Sequence, residues 1–213
     1  MERTRRAYLG AAGSLGLGLT AGCLGGGGSG GAKGCTIEDE PAVSELPAPT
    51  LGPSDAGVTV LAFEDFACPH CATYSLEVFP DVREDYIEAG TIRYAFHDFP
   101  IPVDERWSWQ AASAARGVQD EVDDEAFFEF NHALFENQGD LSPGRITELA
   151  NDVDAPGCAI QADAVNETYR PVVEADRQRA IDRGVQRTPT IYVDGEVVSP
   201  TYDAIASAIE DAR

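Results

Sequence analysis

Two cysteines one helical turn apart, in Cys68-Pro69-His70-Cys71, constrain this chain more than any other feature. At that spacing a helix brings the two sulfurs together. The residues just before them, 58–63 (Val-Thr-Val-Leu-Ala-Phe), have the nearly unbroken apolar character of a buried strand. A cysteine pair at a strand-to-helix junction suits thiol–disulfide exchange, in which one thiolate attacks and the other resolves the mixed disulfide. The competing readings are weaker. A structural zinc site takes four ligands, yet there is no second C-x-x-C, Cys35 and Cys158 stand alone, and His97 and His132 lack a paired spacing. Haem attachment needs a histidine after the second cysteine, where Ala72 stands. A purely structural disulfide is the remaining alternative. No metal is expected, and no cofactor beyond the redox-active disulfide.

The pattern around the pair is α/β. A helix should run from the cysteines to about residue 89, with Leu76, Phe79, Val82 and Tyr86 on one face and a kink at Pro80. Gly90 then fits a C-cap, and residues 91–96 alternate as a second strand. A β–α–β opening implies two parallel strands joined by a right-handed crossover. The next 90 or so residues carry little strand character, and helices are expected over 105–118, 124–137, 145–153 and 159–183, with Pro171 as a break point in the last. Strand character returns at 190–193. Asp194-Gly195 between Ile191-Tyr192-Val193 and Val197-Val198 is a two-residue hairpin signal. A final helix places Tyr202, Ile205 and Ile209 on one face. His97, Trp107 and Trp109 read as packing residues before site residues, and Asn166-Glu167-Thr168 matches a glycosylation sequon.

Charge narrows the partners. The 213 residues carry a net charge of −22, and 14 of the 15 basic residues are arginine, with Lys33 the only lysine. Nucleic acid would be repelled. The composition resembles that of proteins from salt-loving archaea, where screening confines self-repulsion to short range.

The N-terminus reads as a targeting segment. Arg3, Arg5 and Arg6 precede a glycine-rich, weakly apolar run over 7–22 that is a poor membrane span. Arg5-Arg6 looks like a twin-arginine export signal. Leu19-Thr20-Ala21-Gly22-Cys23 resembles the lipobox of secreted lipoproteins, which implies cleavage before Cys23 and its lipidation. The expected organisation is a signal segment over 1–22, a disordered glycine-rich and acidic tether over 23–57, and a domain over 58–213 with a helical insertion at about 104–184. With Cys23 lipidated and Cys68 paired to Cys71, Cys35 and Cys158 are left over. In an oxidising compartment an even remainder suggests a second disulfide, the alternatives being two free thiols or a link to another chain.

Strand, C-P-H-C opening a helix, strand, helical insertion, Thr188-Pro189-Thr190 before an Asp-Gly hairpin, and a last helix: this order over residues 58–213 resembles the DsbA-like branch of the thioredoxin superfamily. The resemblance implies a thioredoxin-like fold, a central mixed β-sheet flanked by helices. It implies that Cys68 forms the mixed disulfide and Cys71 resolves it, with Pro69 and His70 tuning the site. It also implies that Pro189 follows a cis bond and that Thr188 pairs through its backbone with an extended client. The implied partners are exported, cysteine-containing client proteins, a membrane partner that re-oxidises or reduces the pair, and the lipid membrane itself, on the outer face of the cell. The expected activity is a membrane-tethered oxidase. A reductase or isomerase, for example in cytochrome maturation, is the alternative within the class, and a thiol-inactive binding or chaperone lipoprotein the alternative outside it. One departure stands out. Family members carry a buried acid six residues before the first cysteine, and that position is Ala62. Glu64 and Asp65 lie nearer, but the sequence leaves Cys71 without an assigned base.

Overall fold

The computed structural model describes residues 34–38, 40–101 and 103–213. The expectations resting on Arg5, Arg6 and Cys23 lie outside the described residues. Strand β2 (Val58–Glu64) and strand β3 (Ile92–Asp98) run parallel, with Val58 opposite Ile92 and Glu64 opposite Asp98. Strand β4 (Thr190–Val193) pairs antiparallel with the other edge of β2, and β5 (Glu196–Val198) completes a hairpin with β4. At the hairpin turn Asp194 and Gly195 have φ of 45° and 90°, the positive values a two-residue turn of this hand demands. Asp194 also accepts the Thr59 N–H at 2.8 Å, which ties the turn to β2.

The sheet has a fifth strand that the sequence did not announce. Strand β1 (Thr50–Leu51) pairs antiparallel with Tyr94 and Ala95, giving the order β1-β3-β2-β4-β5. The disordered tether expected over 23–57 is therefore corrected for residues 34–38 and 40–57. Leu51 is buried, Thr50 donates its N–H to Asp124 at 2.9 Å, and the Pro49 carbonyl accepts from Phe96 N–H at 3.1 Å. Gly52 sits at φ +84°, where an added Cβ would lie 2.2 Å from the Ile92 carbonyl oxygen, so only glycine fits. Further back, Val43 N–H donates to the Thr168 carbonyl at 2.8 Å, and Cys35 is disulfide-bonded to Cys158. A segment with too few apolar residues for a core of its own is ordered by the partners the domain supplies.

After β2 the chain turns into α1 (Pro69–Thr73), passes through a π turn (Tyr74–Val78) into α2 (Phe79–Val82), and ends in a second π turn (Arg83–Ile87). The disruption expected at Pro80 takes this form. Pro80 has no N–H to offer, and the wide turn, in which Phe79 N–H reaches the Tyr74 carbonyl, carries the helix past it. The insertion comprises α3 (Trp107–Glu121), α4 (Asp124–Glu136), a 3-10 turn (Gln138–Asp140), α5 (Pro143–Asp152), α6 (Gly157–Asn166) and α7 (Arg170–Asp182). The single helix expected over 159–183 is thus two helices. Glu167 adopts left-handed backbone at φ 50°, and Pro171 sits in the first turn of α7, where proline starts a helix instead of breaking one. The last helix, α8 (Tyr202–Ala212), buries Ile205 and Ile209.

Strand alternation sorts the interior into two parts. Val58, Val60 and Ala62 share the main core with Ile92, Tyr94, Phe96 and the α4 residues Phe127, Phe130 and Leu134. Leu61 and Phe63 face a smaller cluster with Ala180, Val185 and Tyr192. His97 stacks on Phe63 at 5.0 Å and meets Asp176 at 3.1 Å. Trp107 and Trp109 pack against the main core, with the guanidinium groups of Arg106 and Arg170 at 4.6 and 4.0 Å from their rings.

One buried cation joins these layers. Arg116 is 0 % exposed. It donates to Asp98 at 2.7 Å, to Asp176 at 2.5 Å, to Gln119 at 3.0 Å and to the Pro47 carbonyl at 3.3 Å. Burial still pushes the Asp98 carboxyl up to about 6 against the pull of Arg116, whereas His97, Arg116 and Arg179 outweigh burial at Asp176 and hold it low. Replacing Arg116 with Leu strands two carboxyls in the interior. Denaturant unfolding should show a loss of about 3–5 kcal/mol, and Arg116→Lys should recover only part of it, because one ammonium cannot reproduce the guanidinium fork. A loss below about 1 kcal/mol for Arg116→Leu would contradict this role.

Candidate active site

Cys68 is the residue where strand becomes helix. Its backbone is extended (φ −83°, ψ 120°), and its carbonyl accepts from the N–H groups of Cys71 and Ala72, both at 3.1 Å. Pro69 follows at the first helical position, where a missing N–H costs nothing. The turn leading in is fixed by Asp65. That carboxylate accepts from Ala67 N–H at 2.8 Å, from Ile101 N–H at 2.8 Å and from the Ser108 hydroxyl at 3.0 Å, and the Asp65 carbonyl accepts from Cys68 N–H at 3.0 Å. Gln138, in the 3-10 turn after α4, donates through one amide nitrogen to the carbonyls of Phe66 (2.8 Å) and Cys68 (3.0 Å). The helical insertion thereby clamps the cysteine loop from a position 70 residues away in sequence.

Opposite lies the Thr188–Pro189 bond, which is cis. The Cys68 thiol donates to the Thr188 carbonyl at 3.6 Å, and the Thr188 hydroxyl is buried with no hydrogen-bond partner in this arrangement. Cys68 keeps 3 % exposure and Cys71 none, so Cys68 is the more accessible residue by a small margin. Both cysteines are free thiols here, and the structure is that of the reduced pair.

The two thiols are driven apart electrostatically. The hydrogen bond from Cys71, with further help from the N–H groups of Cys71 and His70, lowers Cys68 to about 5 against the opposing effect of burial. Burial, together with that same hydrogen bond to Cys68 and the nearby Glu64 charge, pushes Cys71 well above the ordinary thiol range. Asp65 N–H donates to the Cys71 sulfur at 3.4 Å.

Glu64 is the group that the sequence named but could not place. It is 2 % exposed, and the Ser75 hydroxyl donates to it at 2.8 Å. Burial pushes its carboxyl up to about 8, with the charges of Cys68 and Asp98 adding to the rise and Ser75 opposing it. Residues 62 and 64 lie on the same face of β2, because strand side chains alternate with a period of two. Glu64 therefore faces the same side of β2 as Ala62, two residues nearer the cysteines in sequence. Asp65 points instead into the loop it caps.

The other residues singled out from the sequence lie elsewhere. His97 belongs to the Asp176 cluster, and Cys35–Cys158 joins the N-terminal strap to α6. Asn166 donates its amide to the Glu38 carbonyl at 2.7 Å, and Thr168 is buried. Gln138 carries no local signature in the sequence, because its partners lie about 70 residues away.

These ionisations predict opposite pH trends for the reduced protein. Glu64 is raised from 4.5 to about 8, so its contribution to stability is full below pH 4.5 and is lost as pH rises toward 8. Cys68 is lowered from 9.0 to about 5, so its contribution is full above pH 9 and is lost as pH falls through 5. Ultraviolet thiolate absorbance should titrate with a midpoint near 5. The stability of the wild type relative to Glu64→Gln, from denaturant unfolding, should fall steadily between pH 4.5 and 8. Parallel stability profiles for the two proteins would refute the Glu64 assignment.

A family model described as thioredoxin matches residues 45–211. Disulfide bond formation protein D of Bacillus subtilis is 32% identical over 187 residues, covering 82% of this chain and 83% of that protein. The crystal structure of oxidised BdbD from Bacillus subtilis superposes with a TM-score of 0.71 over 81% of this chain and 98% of that one, at 32% identity. The Chlamydia trachomatis DsbA structure shares the fold, with a TM-score of 0.69 at 21% identity over 82% of this chain and 96% of that one. With a cysteine pair of this geometry on this sheet, the chain belongs to the thioredoxin family, in its DsbA-like branch, and is a protein thiol–disulfide oxidoreductase.

Proposed function

We propose that the chain is an extracytoplasmic oxidase, held to the outer face of the membrane through Cys23, that donates the Cys68–Cys71 disulfide to exported proteins. The observation that carries the direction is the separation of the two thiols. A Cys68 thiol lowered to about 5 stabilises the reduced enzyme, and a stabilised reduced form makes its disulfide easy to give away. In the forward reaction a client thiolate attacks the Cys68 sulfur. The Cys68–Cys71 bond breaks, and Cys71 leaves with the electron pair. Its buried thiolate takes a proton from Glu64, which is a carboxylic acid at neutral pH. The client's second thiolate then attacks the client sulfur of the mixed disulfide. That step forms the client disulfide and releases Cys68 as a thiolate. The client loses two electrons, and the enzyme pair gains them. In re-oxidation Glu64 works in reverse and accepts the Cys71 proton. The Thr188 backbone beside the cis bond offers the extended client an edge next to Cys68, and His70 lies at the rim of the same groove.

The tether rests on different features. Arg5-Arg6 and the Leu19–Cys23 stretch support twin-arginine export and lipidation. Among the described residues no helix is long and apolar enough to cross a membrane, and the lipid on Cys23 would supply the attachment. The net charge of −22 and the single lysine support operation in high salt, and complete folding in dilute buffer would count against that.

Equilibration with glutathione should place the pair well above thioredoxin's potential of about −270 mV and toward the roughly −120 mV of strongly oxidising relatives. A value near thioredoxin's would favour the reductase reading. Loss of disulfide transfer in Cys68→Ser would separate the enzyme from a binding lipoprotein, which should keep its function. For the anchor, Cys23→Ser should move the protein from the membrane fraction to the medium. Retention of that variant on membranes would sink the lipoprotein assignment.

A further inference from the structure

A groove of about 570 Å³ opens beside the cysteines, between His70 and Thr73 on α1, the Arg187–Thr190 loop, and the stretch from Val197 to Pro200. Its lining is unusual for this molecule. Acidic residues outnumber basic ones 37 to 15 in the chain, yet no carboxylate lines the groove, whereas Arg187 and His70 do. The arginines elsewhere are largely engaged. Arg83 pairs with Glu125, Arg145 with Glu148, Arg170 with Glu174, Arg213 with Glu210, and Arg116 and Arg179 with Asp176. Arg187 is exposed, and its guanidinium has no hydrogen-bond or ion-pair partner among the described residues. Its backbone is nevertheless fixed, because the Arg187 carbonyl accepts from the Thr190 hydroxyl at 2.7 Å, across the cis bond. This unpaired cation lies one residue from the carbonyl that touches Cys68, in a groove that no carboxylate lines.

We infer that Arg187 sets client preference, receiving the carboxylate of an acidic residue close to the client cysteine. The inference rests on the oxidoreductase reading but not on the direction of electron flow. A client cysteine must reach the Cys68 sulfur, which lies against the Thr188 carbonyl. An extended chain advances about 3.3 Å per residue, so an Asp or Glu within two positions of that cysteine comes into reach of the guanidinium. At low ionic strength the surrounding field of a strongly acidic protein disfavours acidic segments elsewhere. Arg93 and Arg183 are also without a side-chain partner among the described residues, but only Arg187 lines the groove beside the cysteines, where no carboxylate opposes it, and the exposed Val197 and Pro200 give an apolar wall for the rest of the client. Segments that are apolar or neutral throughout are the competing occupants.

The test uses paired dithiol peptides that differ only in Glu or Gln next to the cysteine, with disulfide-transfer rates measured at several ionic strengths at which the full-length protein is folded. The wild type should oxidise the Glu peptide about three to five times faster at the lowest salt, the scale of an exposed charge pair, and the ratio should shrink as salt rises. Arg187→Gln should bring the ratio to about one, and Arg187→Glu should invert it. A merely structural role for Arg187 would slow both peptides alike and leave the ratio unchanged, and that result would overturn the inference, as would a wild type with no preference. Failure of the activity itself is read separately, from the affinity of Cys68→Ser/Cys71→Ser for the same peptides with Ser in place of Cys. A Glu preference in binding that Arg187→Gln abolishes upholds the inference even if no peptide is oxidised, and equal affinities overturn it.

Discussion

Two carboxyl groups end neighbouring parallel strands and sit almost without solvent: Glu64 on β2 and, directly opposite in register, Asp98 on β3. Interiors do not tolerate unpaired charge, so each carboxyl must be neutralised by a counter-ion or by its own proton. The fold uses both solutions side by side. Asp98 receives Arg116, and that cation also gathers Asp176 from α7, Gln119 from α3 and the Pro47 carbonyl from the N-terminal strap. Among the described residues Glu64 receives only the Ser75 hydroxyl, and it keeps its proton to about pH 8. The first solution holds the layers together, and the second leaves a proton beside the cysteines.

The asymmetry of the cysteine pair follows from where that boundary falls. Cys68 ends the turn and meets helix N–H groups, while Cys71, one turn inside, meets the buried acid. Neither environment is made by the four-residue motif alone. Asp65 fixes the approach through Ile101 and Ser108, and Gln138 holds the loop's carbonyls from the far end of α4. The helical insertion is therefore part of the redox site, although it carries no thiol that reacts there. The strap plays a similar part for the core, since it completes one edge of the sheet and contributes a carbonyl to the Arg116 cluster.

What was legible in the sequence was local. Asp194-Gly195 forms its hairpin because the turn requires positive φ at both residues. Phe127, Phe130 and Leu134 announce their buried face because helical spacing repeats over a dozen residues. The misreadings share one cause. Thr50 and Leu51 form a strand only because β3 offers an open edge, so a glycine- and proline-bearing stretch looked like tether. The break between α6 and α7 depends on a single residue, Glu167, taking left-handed backbone, which no periodicity reveals. Gln138 acts across 70 positions, a distance that no motif spans.

The sequence by itself determined the chemistry of this protein. Two thiols one turn apart at the end of an apolar strand, with Thr188-Pro189 ahead of a hairpin, leave little besides disulfide exchange, because a cysteine pair within bonding reach can break and re-form an S–S bond. The tertiary structure decided how the two thiols differ and what neutralises the charge between them. Burial and the direction of a strand's side chains are collective properties of the packed chain. Whether Glu64 faces solvent or the interior beside Ser75 is fixed only when β2, β3 and the first helix close on one another.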